Sequence, residues 1–159
     1  MQNEETFEGG CFCGEVRYSM ARTPMYVHCC HCTWCRRASG AAFALNGMVE
    51  GASVHLIGGQ TQNIDMPTAS GRGQKITRCA KCHTALWGNF SSAGEAIHFI
   101  RIGTLDQAEL FPPDVHIFTS TKLPWVVLGE GIPFHPEFYV KSDMWSSESI
   151  ERYDSASRK

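Results

Sequence analysis

The sequence predicts an all-β fold of short antiparallel strands, and three observations predict it. Many short apolar runs are separated by turn residues, with 15 glycines and seven prolines in 159 residues. Several of those runs alternate apolar and polar side chains, as half-buried strands do. Eight cysteines fall mostly in C-x-C and C-x-x-C pairs far apart in the chain, where a shared ion would staple one strand end to another.

Composition bounds the rest. Hydrophobic residues make up 43% and charged residues 19%, which suits one soluble globular domain. A net charge of −2 leaves no electrostatic footprint for nucleic acid. No apolar run approaches the roughly 20 residues that span a bilayer, and the acidic opening MQNEETFEGG has no secretory core. The expectation is therefore a cytoplasmic protein with neither a membrane nor a nucleic acid as partner. Its thiols stay reduced there, which favours metal ligation over disulfides.

In chain order, residues 1–8 form a loose terminus, and Gly9-Gly10 leads into a tight turn at Cys11-Phe12-Cys13-Gly14. Glu15 to Met20 alternates as a strand with Val16, Tyr18 and Met20 on one face. Thr23-Pro24 ends it, and Met25-Tyr26-Val27 is a short strand entering the densest stretch of the chain. Arg36 to Gly40 suits a single helical turn closed by the glycine. Further strands are expected at Phe43–Val49, Ser53–Ile57, Asn63–Met66, Gln74–Arg78, Ile97–Ile102, Val115–Thr119 and Trp125–Leu128. Ile97, Phe99 and Arg101 share one face of theirs. One domain is expected over residues 1–140, and residues 141–159 read as a polar tail, peripheral or partly ordered.

Two cysteine sets carry the chemistry. Cys11 and Cys13 lie at i and i+2, so an extended segment turns both sulfurs to one side, and Cys79-Ala-Lys-Cys82 is a C-x-x-C knuckle. Four thiolates fill a tetrahedron at about 2.3 Å per Zn–S bond, a closed structural site. Two separate reduced pairs are the bland alternative.

The second set lies in His28-Cys29-Cys30-His31-Cys32-Thr33-Trp34-Cys35, four cysteines and two histidines within eight residues. Cys30 and Cys32 are an i, i+2 pair and Cys35 completes a C-x-x-C turn. One loop thus offers three corners of a tetrahedron and leaves the fourth open, as catalytic zinc requires. Cys29 or a histidine taking that corner would instead close the site. Cys29 is adjacent to Cys30, and adjacent strand residues face opposite sides. His28 and His31 are expected to back the ligands or, more simply, to sit exposed. His116 is expected to be a satisfied core histidine.

The run from Cys30 to Phe43, with Cys11-x-Cys13-Gly14 before it and Cys79-x-x-Cys82 after, resembles the glutathione-dependent formaldehyde-activating enzyme family, which includes the zinc domain of centromere protein V. His116-Ile-Phe-Thr-Ser-Thr-Lys-Leu-Pro-Trp125 and Gly131-Ile-Pro-Phe134 resemble its C-terminal half, so the likeness covers roughly residues 8–135. It implies a Mss4-like (β-tent) fold and two zinc ions. The structural zinc would lie on Cys11, Cys13, Cys79 and Cys82, and the catalytic one on Cys30, Cys32 and Cys35. The implied activity joins a small thiol such as glutathione to formaldehyde, as carbon–sulfur lyases do. Members with that named activity read Cys-Gly-Cys-x-x-Cys-Trp-Lys-Pro at the tripod. Here His31 replaces the glycine and Arg36-Arg37-Ala38 replaces the last three residues. The ligands carry over and the substrate does not.

Around that site, Arg36 and Arg37 are expected either to contact substrate, pairing with carboxylates in a bidentate fork, or to lie on a solvated face, and Trp34 either to wall the substrate pocket or to cover the knuckle. Zinc bound by three thiolates is a weak Lewis acid, which favours thiol activation over water activation. A zinc-stapled binding module with a saturated second site and no chemistry is the competing reading. Methionine sulfoxide reduction needs a later reactive cysteine, and none follows Cys82.

Overall fold

A computed structural model describes residues 5–158 as two β-sheets with a small helical complement. The smaller sheet contains β1 (Phe7–Gly10), β2 (Arg17–Met20) and β5 (Val54–Gly58) in the order β1-β2-β5. The larger has seven strands: β3 (Tyr26–Cys30), β4 (Ala44–Glu50), β6 (Thr61–Met66), β7 (Gln74–Cys79), β8 (Ala85–Phe90), β9 (Ile97–Arg101) and β10 (Val115–Ile117). Their order is β10-β3-β4-β9-β8-β7-β6. All pairings are antiparallel except β10 with β3, which is parallel and sets His116 opposite Cys29 and Ile117 opposite Cys30.

The alternation expected of Glu15 to Met20 is realised, with Val16, Tyr18 and Met20 fully buried. They pack with Phe7, Leu86 and Ile100 into the main core cluster. Gly9 is required here because a Cβ would lie 2.5 Å from the Thr104 carbonyl oxygen and 2.8 Å from the Tyr18 ring. A second cluster joins Tyr26, Cys30 and Met48 to Ile97, Val115 and Trp145.

Several expectations need correction. The loose terminus at residues 1–4 lies outside the described residues, while Phe7–Gly10 is a paired strand. Strand β8 went unforeseen because it is buried on both faces, so its side chains carry no alternation. The strand expected at Trp125–Leu128 does not form. Trp125 and Val127 are exposed, and the Lys122 ammonium holds that turn by donating to the Leu123 and Val126 carbonyls.

The polar tail is ordered as α2 (Lys141–Met144) and α3 (Ser147–Ser157). Ser146 caps α3, its hydroxyl accepting from the Ser149 amide at 3.1 Å. Trp145, between the helices, is buried and stacked on Tyr26 at 5.3 Å. Arg152 fastens α3 to β4 through a bidentate pair with Glu50, Nε to Oε1 at 2.8 Å and Nη2 to Oε2 at 2.7 Å. Both side chains are only 12% exposed, so water screens this pair poorly.

Removing Arg152 leaves Glu50 with Arg22, at 2.8 Å, as its one ionic partner among the described residues. Arg152→Ala is expected to lower stability by about 2–3 kcal/mol in urea unfolding. A loss below about 0.5 kcal/mol would mean that α3 is not anchored by this pair.

Candidate metal centre

Each cysteine set is built by the chain immediately around it. After β1 the backbone turns at Cys11, whose carbonyl accepts from the Gly14 amide at 3.2 Å, with Gly14 at φ +79°. The Val16 amide donates to the Cys11 sulfur at 3.2 Å. After β7, the amides of Lys81 and Cys82 donate to the Cys79 sulfur at 3.4 and 3.5 Å. His83, at φ +63°, closes that turn. Amides aimed at sulfur favour the thiolate over the thiol, so both knuckles are prepared for a cation.

The two knuckles meet. The Sγ atoms of Cys11 and Cys13 are 3.5 Å apart and those of Cys13 and Cys79 are 3.9 Å apart. A tetrahedron with about 2.3 Å metal–sulfur bonds has edges near ~3.8 Å, so the spacing fits one zinc-sized ion. Hydrogen bonds from the Thr84 hydroxyl and amide hold the Cys82 thiol down at about 5.

Strand β3 delivers the second set. Its alternation turns Tyr26, His28 and Cys30 to one face, and α1 (Thr33–Ser39) begins just beyond it. Cys32 is the N-cap of α1, its sulfur accepting from the Cys35 amide at 3.3 Å. Gly40, at φ +68°, closes the helix by donating to the Arg36 carbonyl at 2.8 Å. The ligand atoms of Cys30, Cys32 and Cys35 all lie within 4.8 Å of one another. Hydrogen bonds from Cys30 and Cys35 hold the Cys32 thiol at about 2, while Cys30, facing Cys32 and Cys35 in a buried position, is pushed up. One thiolate forms readily there, and a cation is needed before all three can ionise.

Cys29 does not join this tripod. It points to the opposite face, where its sulfur lies 3.6 Å from His31 Nε2, which in turn meets His116 Nδ1 at 2.9 Å. The donor atoms of Cys29, His31 and His116 fall within 4.8 Å of one another, so they form a third group able to hold a soft ion. The 2.9 Å contact is also a good N–H···N hydrogen bond between imidazoles that burial keeps neutral.

The exposure expected of two histidines is wrong. His31 is fully buried and His28 is 4% exposed. His28 Nε2 meets the Tyr139 hydroxyl at 2.6 Å, and the Trp145 indole donates to that same hydroxyl at 2.7 Å. Burial lowers His28 to about 4. His116 is buried as expected but not satisfied, because its Nε2 has no partner among the described residues.

The tripod opens into a cavity of about 780 Å³. Of the residues expected to contact substrate, Trp34 lines it, whereas Arg36 and Arg37, two and three positions further along α1, do not. Sequence reasoning missed two contributors. The C-terminal segment supplies Phe138, Tyr139, Trp145 and Tyr153 to the wall. Arg101 hydrogen-bonds Asn46, a lining residue of β4. Burial lowers Arg101, and attraction to Cys35 partly offsets this, so a half-buried cation stands beside the thiols. Its place on the face of β9 shared with Phe99 was the available signal.

Fold and site together define a mostly β protein whose cysteine and histidine groups could hold metal ions. The family model described as glutathione-dependent formaldehyde-activating enzyme matches residues 6–121, and the chain belongs to that family. A crystal structure of a Rhodobacter sphaeroides protein from a structural genomics programme is similar, at 16% identity and a TM-score of 0.47. The match covers 67% of this chain and 96% of that one. No curated protein matches significantly.

His28 sets a pH dependence with a definite sign. Its folded pKa of about 4 lies below the ordinary unfolded value near ~6.5. The folded state therefore favours the neutral ring. That stabilisation is fully present above pH ~6.5 and is lost as pH falls toward 4. The stability gap between the parent and His28→Gln, measured by urea unfolding, is expected to shrink by about 2 kcal/mol between pH 7 and 4.5. Parallel curves would contradict a buried neutral His28.

Metal content offers a second check. With the Cys29, His31 and His116 group held by its own His31–His116 hydrogen bond and not by an ion, zinc-loaded protein is expected to hold two equivalents, falling to one in Cys35→Ser with the fold intact. Two equivalents remaining in the variant, measured by plasma mass spectrometry, would contradict ligation by Cys35.

Proposed function

We propose that this protein is a zinc-dependent carbon–sulfur lyase-type enzyme that adds a small thiol to a small carbonyl compound, or releases it again. The observation that carries this reading is the tripod of Cys30, Cys32 and Cys35 opening into a large cavity, with Cys29 turned away. Cys11, Cys13, Cys79 and Cys82 would hold a structural zinc joining the N-terminal turn to the end of β7, in a single domain of the Mss4-like, β-tent kind against which α2 and α3 pack. Eight free thiols suit a reducing compartment, which supports a cytoplasmic setting. Among the described residues, no helix is long and apolar enough to cross a membrane.

Zinc held by the tripod would supply a fourth position where an incoming thiol, with an ordinary pKa near ~8.5, is deprotonated at neutral pH. In the addition, the sulfur lone pair forms the C–S bond, the carbonyl π pair moves to oxygen, and that oxygen takes up the proton the thiol lost. No oxidant or reductant is consumed. The chain's own residues bind and shield the reactants. Aromatic side chains line the cavity around the tripod. Asn46 carries Arg101 beside the sulfurs, and the guanidinium offsets their excess negative charge. The family's description supports glutathione and formaldehyde as the starting pair to test.

Zinc-loaded protein is incubated with formaldehyde and either glutathione or 2-mercaptoethanol, and adduct formation is followed by proton NMR. Acceleration over the uncatalysed rate is expected with at least one thiol, with a loss of 100-fold or more, on the order of a lost catalytic ligand, in Cys35→Ser. No acceleration with either thiol, and a variant indistinguishable from the parent, would leave the zinc-stapled binding module as the better reading.

A further inference from the structure

We propose that the thiol taken by this site carries an aromatic or branched hydrocarbon group, not the paired carboxylates of a glutathione-like peptide. This rests on the thiol-binding reading above and deepens it.

The cavity wall is the first observation. Trp34, Phe99, Phe118, Phe138, Tyr139 and Trp145 all line it together with the three cysteines. The wall is fixed in place. Trp145 stacks on Tyr26 and donates to the Tyr139 hydroxyl, and Phe138 and Tyr139 stack at 4.6 Å. Two aromatics of the lining remain substantially open to water, Trp34 at 43% and Phe138 at 55% exposed. Apolar surface left wet beside a reactive centre gains stabilisation only when an apolar group covers it.

Charge is the second observation. Glutathione at neutral pH carries two carboxylates, and taking either out of water requires a cation or several donors. Among the described residues that line the cavity, Lys141 is the only Lys or Arg, and the other donors include neutral hydroxyls and amides such as Thr33, Asn46 and Gln74. Lys141 is already engaged, with its Nζ 3.9 Å from the centre of the Tyr153 ring and 3.5 Å from Asp154. Glu137, also lining the cavity, would repel a carboxylate. Arg36 and Arg37 lie outside the lining, and Arg101 is engaged by Asn46 and by the charge of the tripod sulfurs.

Size and position agree. About 780 Å³ is far more than formaldehyde and a minimal thiol need, and it lies within the range that encloses a drug-sized ligand. The family match ends at residue 121, whereas Phe138, Tyr139, Trp145 and Tyr153 come from beyond it. That part of the wall therefore lies outside the residues that the family likeness covers.

Binding to full-length, zinc-loaded protein is measured by isothermal titration calorimetry, which reads no turnover. The ligands are benzyl mercaptan, 2-mercaptoethanol, glutathione and the sulfur-free control benzyl alcohol. Benzyl mercaptan is expected to bind about 30-fold more tightly than 2-mercaptoethanol, from burial of the phenyl ring. Glutathione is expected to gain no such advantage. In Phe138→Ala and Trp34→Ala, both at exposed positions, the preference for benzyl mercaptan over 2-mercaptoethanol is expected to fall at least threefold. Glutathione binding more tightly than benzyl mercaptan would overturn the proposed substrate class and leave the thiol site standing. Benzyl alcohol binding as tightly as benzyl mercaptan, or no thiol binding at all, would overturn the thiol site and the proposal with it.

Discussion

Strand alternation at the end of β3 is the constraint on which the rest of the structure depends. Because successive residues face opposite sides, Cys30 turns toward the cavity with His28, and Cys29 turns away toward His31 and His116. The start of α1 then brings Cys32 and Cys35 round to meet Cys30, with the Cys35 amide on the Cys32 sulfur. Shifting the strand by one residue would exchange Cys29 for Cys30 and move His28 out of reach of Tyr139. Two strands hold that register, β4 in antiparallel fashion and β10 in parallel fashion.

Around this pivot the protein divides labour between two kinds of cohesion. The N-terminal turn and the end of β7 come together through sulfur and amide–sulfur contacts, over a core of Tyr18, Leu86 and Ile100. The cavity side is held by aromatic stacking and the Arg152–Glu50 pair, which bring a distant C-terminal segment against β3 and β4. That segment supplies part of the wall around the tripod. The tripod sulfurs sit at the end of β3 and the start of the capped α1, whereas Phe138, Tyr139 and Trp145 of the cavity wall come from the C-terminal segment.

Much of this was legible in the residues. Two cysteine sets followed from i, i+2 and C-x-x-C spacing, and the structure brings each together as expected. Strands β2 and β9 followed from alternation, and β4 and β7 from short runs bounded by turn residues. Strand β8 was hidden because both its faces are buried, which removes the period of two. Trp125 to Leu128 looked like a strand on composition alone, but no neighbouring edge pairs with it. The tail looked peripheral because its few apolar residues are widely spaced. Yet Trp145 and Tyr153 fall where the turn between α2 and α3 and one face of α3 meet the core. The burial of His28 and His31 was invisible for another reason. The partners that enclose them, Tyr139 and His116, lie 111 and 85 residues away.

The central claim is that Cys30, Cys32 and Cys35 hold one ion with room for a ligand from outside. Anomalous diffraction at the zinc edge, from crystals grown with zinc under reducing conditions and without added thiol, tests it most directly. Two zinc peaks are expected, one inside the Cys11, Cys13, Cys79 and Cys82 set and one bonded to the three tripod sulfurs with water or buffer as its fourth neighbour. A tripod without zinc, or a fourth bond made by a side chain of this protein, would contradict the account.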